Sequence, residues 1–482
     1  MKNFKKYLKN IALLFILFSV ISCNDEYLNP VPNSVITEVN FYTTETEVEN
    51  AIINMYDGIQ GINDTRSDSN HAIQIEYYVT EMRSDNTRSK SGEGDAGEFD
   101  LFTIRSTNSF LADYYRSFYN VIFRANVVLQ NLDVVSDANR VKFEAEAKFV
   151  RAYAYFNLVR LYGDIPLLDR VISPSEKDVQ FTRVAADKIY ELIVSDFNFA
   201  VNNLENGPIR RASKAGAQGL LAKVYLTLER YTDAQLLIEK VMEGSFSLES
   251  NFEDVFYNES NNEVIFSIGF ETASALDSQN FSAEFLNGVG RTVGVNYVTQ
   301  DAKAALDAMG GNRKDVSYRQ DLIQTTQNQV AKFLPDGRDG GVNGKTFTGT
   351  DPRLAGNDWI VLRYADILLM HAEAIMANND ETSVTAAIDS YMEVKVRAGF
   401  DATADRPATL TKEDLLNERR VELAFENHRL FDLIRFGKAQ EILSAFSSTT
   451  GGSFSSTDLL LPIPQYEINL SNGLLSQNPG YN

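Results

Sequence analysis

The sequence predicts a mainly α-helical scaffold built from tetratricopeptide-type helix pairs, with a loop-rich insertion that carries short β elements. Three observations predict this fold class. The stretch Glu144 to Leu168 contains a helix, ended by Gly163, that is apolar around most of its circumference, as a central helix must be. Ser213 to Glu243 contains two helical segments and a tight turn within roughly 34 residues. From Ser245 to Gly356 the helical period gives way to glycine-punctuated loops.

Length and charge narrow the possible function classes. The chain has 482 residues and a net charge of −21. A chain this acidic is repelled by phosphate unless basic residues are segregated, and no basic run occurs beyond the N-terminus, so nucleic acid is not an expected partner. One cysteine and three scattered histidines give no zinc constellation. No phosphate-cradling loop or nucleophile elbow is present, so we expect neither a cofactor nor a catalytic residue.

The N-terminus reads as a lipoprotein signal peptide over residues 1–22. Lysines 2, 5, 6 and 9 form a basic region, and Ile11 to Ile21 is an apolar run too short to span a membrane. The segment Ser19 to Cys23 resembles a bacterial lipobox, and Cys23 is the predicted lipidation site. An ordinary cleavable signal with an incidental cysteine is the alternative. Residues 23–34 then form a lipidated cysteine and a flexible tether, because Asn24 to Ser34 has no apolar period.

The body begins with a helix over Phe41 to Gly58, followed by a long polar segment from Gln60 to Asn108. Loops of this length in compact domains are usually functional or disordered. Aromatic faces can stack on a sugar ring, and forked arginine donors can bind its hydroxyls. The candidate ligand-binding residues of this segment are Tyr77, Tyr78, Arg83, Asp85, Arg88, Phe99 and Phe102. The alternative is that rings such as Tyr77 and Phe99 pack beneath the loop.

Helical periodicity then predicts a scaffold over residues 35–244 and 357–482. Its segments are Ser109 to Val134, the helix from Glu144 that Gly163 ends, Ala185 to Leu204, the Ser213 to Glu243 hairpin, and a weaker hairpin from Tyr364 to Ala377 and Ala386 to Val396. Because such units cannot bury their apolar faces alone, they must stack. We expect about four helix pairs, split by one insertion.

The insertion covers residues 245–356. Asn262 to Phe270 contains a short β-like run, and Gly288 to Tyr297 is a loop that adds Arg291, Asn296 and Tyr297 to the ligand-binding candidates. Asp336 to Gly344 is dense in aspartate and glycine and invites a calcium interpretation. It lacks the residue order of an EF-hand and a distal glutamate, so no metal site is predicted.

Four ordered motifs give the sequence a family resemblance. They are the run EAKFVRAYAYFNLVRLYGDIP within Glu144 to Leu168, Trp359 to Ala374, Glu418 to Gly437, and the closing pair Leu461 to Ile468 and Gln477 to Tyr481. Together they resemble the SusD/RagB family, the surface nutrient-binding lipoproteins of Bacteroidetes. The third motif departs mildly, with Asn427 where glycine is usual and Phe436 where tryptophan is frequent.

The resemblance implies a SusD-like fold and a lipid-anchored, surface-exposed protein of the outer membrane. It implies that the protein binds oligosaccharides and closes as a lid over a SusC-like TonB-dependent transporter. It also implies that the ligand surface lies between the N-terminal long segment and the insertion. A peptide-binding RagB-like relative stays open as an alternative, as do a surface glycoside hydrolase and a protein-binding repeat scaffold. The sole tryptophan, Trp359, begins a motif and is expected to be structural.

The second and third of these motifs are rich in interleaved charges. They include Arg363, Asp366, Glu373, Arg419, Arg420, Glu422, Glu426, Arg429, Asp432 and Arg435. A carboxylate pair for glycoside hydrolysis is one interpretation. Because opposite charges alternate, we favour interhelical salt bridges that fix helix register. His371 and His428 are expected to be packed or hydrogen-bonded rather than catalytic.

Overall fold

The computed structural model describes residues 42–481 except 65–69, 91, 93, 259–260, 273–274, 287–294, 322–323, 336–350 and 352. The predicted signal peptide, Cys23, the predicted tether, Arg291 and residues 336–344 therefore lie outside the described residues. None of the helices in the described part is both long and apolar enough to cross a bilayer.

Within the described residues, eight helices form the stacked pairs of the scaffold. They are α1 (Glu45–Gln60), α2 (Ser109–Gln130), α3 (Asp137–Tyr162), α4 (Ala186–Asn203), α5 (Lys214–Thr227), α6 (Tyr231–Met242), α7 (Tyr364–Met376) and α8 (Thr385–Arg397). Each helix packs against the next one in chain order, including α6 against α7 across the insertion. The fold is therefore the predicted stack of four helix pairs interrupted between the third pair and the fourth.

The predicted central helix is α3, and it lies between α2 and α4. Its apolar side chains are buried around most of its circumference. Among the polar residues of α3, Lys148 pairs with Glu144 at 2.6 Å, whereas Arg151 is buried and binds Asp196 of α4. Gly163 ends the helix with a φ of +69°, a left-handed value that favours glycine. The predicted ending is confirmed, although the helix starts seven residues before Glu144.

Four further helices follow the scaffold. They are α9 (Lys412–Glu422), α10 (Arg429–Arg435), α11 (Ala439–Thr450) and α12 (Gln465–Leu470). The other helices of the described residues are Glu76–Val79, Gly94–Asp100, Lys177–Phe181, Asp254–Tyr257, Phe281–Glu284, Gln300–Met309 and Lys314–Ser317. The 3₁₀ turns are Ala72–Ile75, Glu81–Arg83, Leu132–Val134, Gly311–Arg313 and Ser456–Leu459. Helix α9 contacts α7, α8 and Gln300–Met309, so it joins the last helix pair to the insertion.

The strands of the described residues are short. They are β1 (Thr87–Ser89), β2 (Ile165–Pro166), β3 (Arg183–Val184), β4 (Val264–Ile268), β5 (Asn296–Val298), β6 (Tyr318–Gln320), β7 (Asn328–Val330), β8 (Trp359–Arg363), β9 (Glu381–Thr382) and β10 (Leu410–Thr411). The β-like run of Asn262 to Phe270 is confirmed as β4, which pairs antiparallel with β8. Because β4 lies near the start of the insertion and β8 follows its end, this ladder closes the insertion at its base.

Candidate functional site

The N-terminal long segment and the insertion meet in one antiparallel sheet with the strand order β1-β5-β7-β6. Strand β1 comes from the long segment, and the other three strands come from the insertion. Arg88 of β1 lies directly opposite Tyr297 of β5. Two of the ligand-binding candidates, more than 200 residues apart, are therefore neighbours on one face of the sheet.

The same face continues across the sheet. Val298 pairs with Asn328, and antiparallel strands advance in opposite directions, so Tyr297 lies across from Gln329. Gln329 in turn lies opposite Arg319 of β6. We call these four side chains the Arg-Tyr row: Arg88, Tyr297, Gln329 and Arg319. Three of them are partly exposed and only Gln329 is buried.

The row is fixed in place by contacts at both ends. Nε of Arg88 donates to Asp100 Oδ2 at 3.0 Å, while an Nη2 hydrogen goes to the carbonyl of Thr450 at 3.2 Å. Nη2 of Arg319 donates to Gln329 Oε1 at 3.3 Å. Within the described residues, the buried Nε2 of Gln329 has no hydrogen-bond partner. A partly exposed ring and two partly exposed guanidinium groups are suited to a polyhydroxylated ligand.

A salt bridge next to the row links the outer strands. Lys90 directly follows β1, and its Nζ lies 3.3 Å from Asp321 Oδ2, which directly follows β6. Both side chains are buried. Burial lowers the pKa of Lys90, and the attraction of Asp321 opposes that shift. The pair ties the two edges of the sheet together, so the row has little freedom to spread.

Three of the predicted ligand-binding rings lie in a buried aromatic cluster instead. Tyr78 stacks on Tyr77 and Phe110 with centroid distances of 4.3 and 4.0 Å, and it lies 6.1 Å from Phe99. Tyr77 meets Phe285 of the insertion edge to face at 5.1 Å. Tyr77, Tyr78 and Phe99 were predicted to bind ligand, but each is at most 5% exposed, so none of them offers an open ring face. Their rings join the long segment to the insertion, which was the structural alternative.

Arg83 and Asp85, the predicted hydrogen-bonding candidates, are also buried, and their side chains bind other parts of the protein. Arg83 donates to the carbonyls of Val79 and Asp458 at 3.1 and 2.5 Å. Asp85 receives two hydrogen bonds from Arg429 at 2.8 and 2.9 Å and lies 2.9 Å from Arg420. Burial alone would raise the pKa of Asp85, but the two arginines hold it at about 2. Both residues position β1 rather than offer groups to a ligand.

The remaining candidates divide in the same way. Phe102 is buried against Phe454 at 4.9 Å, and Asn296 is 1% exposed on the opposite face of β5 from Tyr297. Neither side chain offers an accessible group to a ligand. Of the ten predicted residues, Arg88 and Tyr297 are described and partly exposed, and for them the ligand-binding prediction stands.

Gln329 and Arg319 were not predicted from the sequence. Each lies in a strand of three residues, which is too short for a period-2 pattern to be distinctive. Their only local signal is the polar character of β6 and β7, and turns share that character. Their position follows from pairing with β5, which is a long-range contact.

The charged motifs form ion pairs inside the molecule, as expected. Arg363 binds Glu263, Glu422 and Glu426 at 2.5 to 2.8 Å, and all four side chains are at most 2% exposed. Arg419 lies 2.9 Å from both Asp366 and Asp432. Arg435 pairs with Glu373 and Asp432. The carboxylates of these motifs are held by arginines, an arrangement that favours a structural role over general acid catalysis.

Of the two histidines of these motifs, His371 is buried and His428 is largely buried, with 14% of its side chain exposed. Nδ1 of His371 lies 2.8 Å from Ser390 Oγ, which joins α7 to α8. His428 precedes α10, and burial lowers its pKa to about 3, a shift that the charge of Lys223 reinforces. Both residues are packed within the scaffold, as expected.

Two family models match the chain. One, described as the SusD family, matches residues 324–481, and another, described as starch-binding associating with outer membrane, matches residues 26–226. The matched segments together cover well over half of the chain. A SusD-like protein, P2, from Formosa agariphila is 25% identical over 99% of this chain and 100% of its own length.

Solved structures share the fold. A laminarin binding SusD-like protein is 26% identical and superposes with a TM-score of 0.75, covering 91% of this chain and all of its own. Surface glycan-binding protein A from Bacteroides thetaiotaomicron, solved in complex with laminarihexaose, is 21% identical with a TM-score of 0.72. That match covers 90% of this chain and 100% of the other.

Proposed function

Because the chain belongs to the SusD/RagB family, we propose that it is a cell-surface glycan-binding lipoprotein that captures oligosaccharides for import. The observation that carries this proposal is the Arg-Tyr row, where a partly exposed tyrosine lies between an arginine and an amide on one rigid sheet face. The names of structurally similar proteins point to laminarin-type glucans as the first ligands to test.

Binding at the row combines stacking with hydrogen bonding. The ring of Tyr297 offers an apolar face to the C–H side of a sugar ring. Arg88 lies beside it and Arg319 lies two strands away on the same face, and both guanidinium groups can donate to hydroxyl oxygens. The sheet is preorganised by the Lys90–Asp321 pair, so little conformational entropy is lost when a ligand binds.

The lid role adds a partner to this site. We propose that a SusC-like TonB-dependent transporter lies beneath the protein and that bound glycan favours the closed state. A ligand shifts an open–closed equilibrium only by its differential affinity for the two states. The rigid scaffold of four helix pairs can move as one body over such a transporter. Co-purification with the transporter, with and without oligosaccharide, tests this step. Recovery of the lipoprotein without any bound transporter under both conditions would contradict it.

The anchor of the lid would be Cys23. A diacylglycerol on its thiol and an amide-linked chain supply the two hydrophobic signals that stable anchoring needs. Metabolic labelling with palmitate should mark the full-length chain and leave Cys23→Ser unlabelled and released from the outer membrane. Labelling that survives Cys23→Ser would contradict lipidation at this position.

The capture function is tested by isothermal titration of residues 24–482 with laminarin oligosaccharides, other neutral and acidic oligosaccharides, and a peptide digest. We expect binding to one glycan class without cleavage. Tyr297→Ala should weaken binding about 10- to 50-fold, since truncating a central aromatic anchor costs about 2 kcal/mol. Tyr297→Phe keeps the ring and should retain most of the affinity.

The matched control is Tyr231→Ala, a partly exposed tyrosine of α6 that should leave the affinity unchanged. Product analysis of the same mixtures separates capture from hydrolysis. Cleavage of the oligosaccharide would overturn the binding-protein assignment. Heat from the peptide digest alone would assign the protein to the peptide-importing branch.

A further inference from the structure

A second cavity lies on a different part of the molecule from the Arg-Tyr row. It has a volume of about 430 Å³ and lies between α2, residues 168–181 and the C-terminal segment around α12. None of its lining residues belongs to the β1-β5-β7-β6 sheet. The volume falls within the range of roughly 300 to 1,000 Å³ that is typical of small-ligand sites.

Aromatic rings form much of the cavity wall. Tyr115, Tyr119 and Phe123 line it from successive turns of α2, and Phe181 lines it from the opposite side. Tyr115 and Tyr119 contact each other at 4.8 Å, and Tyr119 donates its hydroxyl to the carbonyl of Pro166 at 2.9 Å. Both tyrosines are therefore held rigidly. The wall is preformed and does not need to be assembled by a ligand.

Phe123 is unusual because its side chain is 46% exposed. Among the described residues, Phe123 and Tyr466 are the only phenylalanine or tyrosine side chains classed as exposed. Tyr466 directly precedes Glu467, which also lines the cavity. An exposed ring at the edge of an aromatic cavity indicates a binding surface more strongly than a single exposed ring elsewhere.

The polar groups of the cavity offer donors and acceptors without a net charge. Arg116 and Glu467 both line it and have opposite charges. Burial raises the pKa of Glu467, and Arg116 opposes that shift. The side-chain amides of Asn70 and Gln180 also line the cavity and make no hydrogen bond to another described residue. Such a site would not select a strong anion or cation, but it can bind several hydroxyl groups.

We propose that this cavity is a second saccharide-binding site, which takes one or two neutral sugar rings. The ligand would stack on Phe123 and form hydrogen bonds with Glu467, Gln180 and Asn70. The sugar class rests on the proposed function, whereas the location rests on the cavity alone. Two separate sites would let the protein hold one chain at two points or keep a second chain near the first, which raises the effective concentration of ligand.

Ligand-observed NMR of residues 24–482 with cellobiose, maltose and laminaribiose tests the site. At least one disaccharide should give a saturation-transfer signal that persists in Tyr297→Ala and falls at least tenfold in Phe123→Ala. Glu467→Gln should weaken the same signal with the aromatic wall intact. Ile53→Ala is the matched control, because Ile53 is also an exposed apolar residue and lies on α1 outside the cavity.

Several outcomes overturn the inference without touching the proposed function. One is a signal lost in Tyr297→Ala and kept in Phe123→Ala, because all binding would then occur at the Arg-Tyr row. Another is the absence of any disaccharide signal although longer oligosaccharides bind in the titration. If titration also shows no glycan binding, the proposed function fails as well. Since Phe123 is exposed, its variant should fold, and an unchanged thermal unfolding curve would establish this.

Discussion

Asp85 shows how a single buried carboxylate can hold a loop in position. Its side chain binds Arg429 and Arg420, and its carbonyl accepts a hydrogen bond from Thr299 at 2.7 Å. The next residue, Asn86, accepts the Thr299 amide at 2.9 Å and directly precedes β1. Arginines from the C-terminal motifs therefore place the strand that bears Arg88. The charged motifs are structural, yet they position the candidate site.

Glu81, four residues before Asp85, gives the stability a dependence on pH. Burial raises its pKa from the ordinary 4.5 to about 7, and its Oε2 has no partner among the described residues. A raised carboxyl pKa means that the folded state binds the proton more tightly. The stabilising contribution of this bound proton is complete below about pH 4.5 and is lost as the pH rises through 7.

We therefore expect Glu81→Gln to become increasingly more stable than wild type between pH 5 and 8, by about 2 to 3 kcal/mol at the upper end. Glutamine can still accept the bond from Asn86 Nδ2, which is 2.9 Å long. His428 has the opposite effect, since its lowered pKa removes stability as the pH falls below about 6.5. Chemical denaturation at each pH gives the free energy of unfolding of wild type and of Glu81→Gln. The difference between the two isolates the contribution of Glu81, and a difference that does not change with pH would contradict the raised pKa of this carboxyl.

At the scale of elements, α5 must approach β8 closely, and Gly219 permits this. A Cβ at position 219 would lie 2.4 Å from Leu362 Cδ2 and 3.1 Å from Ile367 Cδ1. Alanine is the better helix former by about 1 kcal/mol. We nevertheless expect Gly219→Ala to lower the free energy of unfolding by about 1 to 3 kcal/mol, because the crowded side chains must leave their rotamers.

Chemical denaturation measures this effect. Gly207→Ala is the control and should change the free energy by less than about 0.5 kcal/mol, since a Cβ there meets no atom within 4 Å. In a Leu362→Ala background the penalty of Gly219→Ala should shrink, as expected for two residues in contact. An equal penalty in both backgrounds would show that the contact is not its cause.

Helices were predictable because their signals are local. The 3.6-residue period located α2 to α8, and glycine after an aromatic turn located the end of α3. The β1-β5-β7-β6 sheet was not predictable, because strands of three residues carry little pattern and their pairing joins distant segments. Burial in the long segment was missed for a related reason. Tyr77, Tyr78 and Phe99 follow no single period, so the sequence does not show which way their rings face.

At the scale of the molecule, buried charges join the insertion to the scaffold. Glu263 and Lys332 come from the insertion, and they meet Glu422 and Glu426 of the C-terminal motifs around Arg363. Removing one partner of a buried ion pair is costly, because the other charge then stays buried without a partner. The insertion should therefore not unfold as an independent unit, although it interrupts the helix pairs.

Arg363→Met tests this coupling. Removing the guanidinium leaves Glu263, Glu422 and Glu426 with fewer positive partners in a dry interior, so we expect the free energy of unfolding to fall by about 3 to 5 kcal/mol. Arg230→Met is the control, because Arg230 forms an exposed pair with Asp233 and should change stability by less than about 1 kcal/mol.

In wild type, hydrogen exchange of β4 should match that of α5, since both open only when the whole molecule unfolds. In Arg363→Met, β4 should exchange faster than α5. If β4 already exchanges faster in wild type, the insertion is a separate unit and the buried charges do not couple it to the helices.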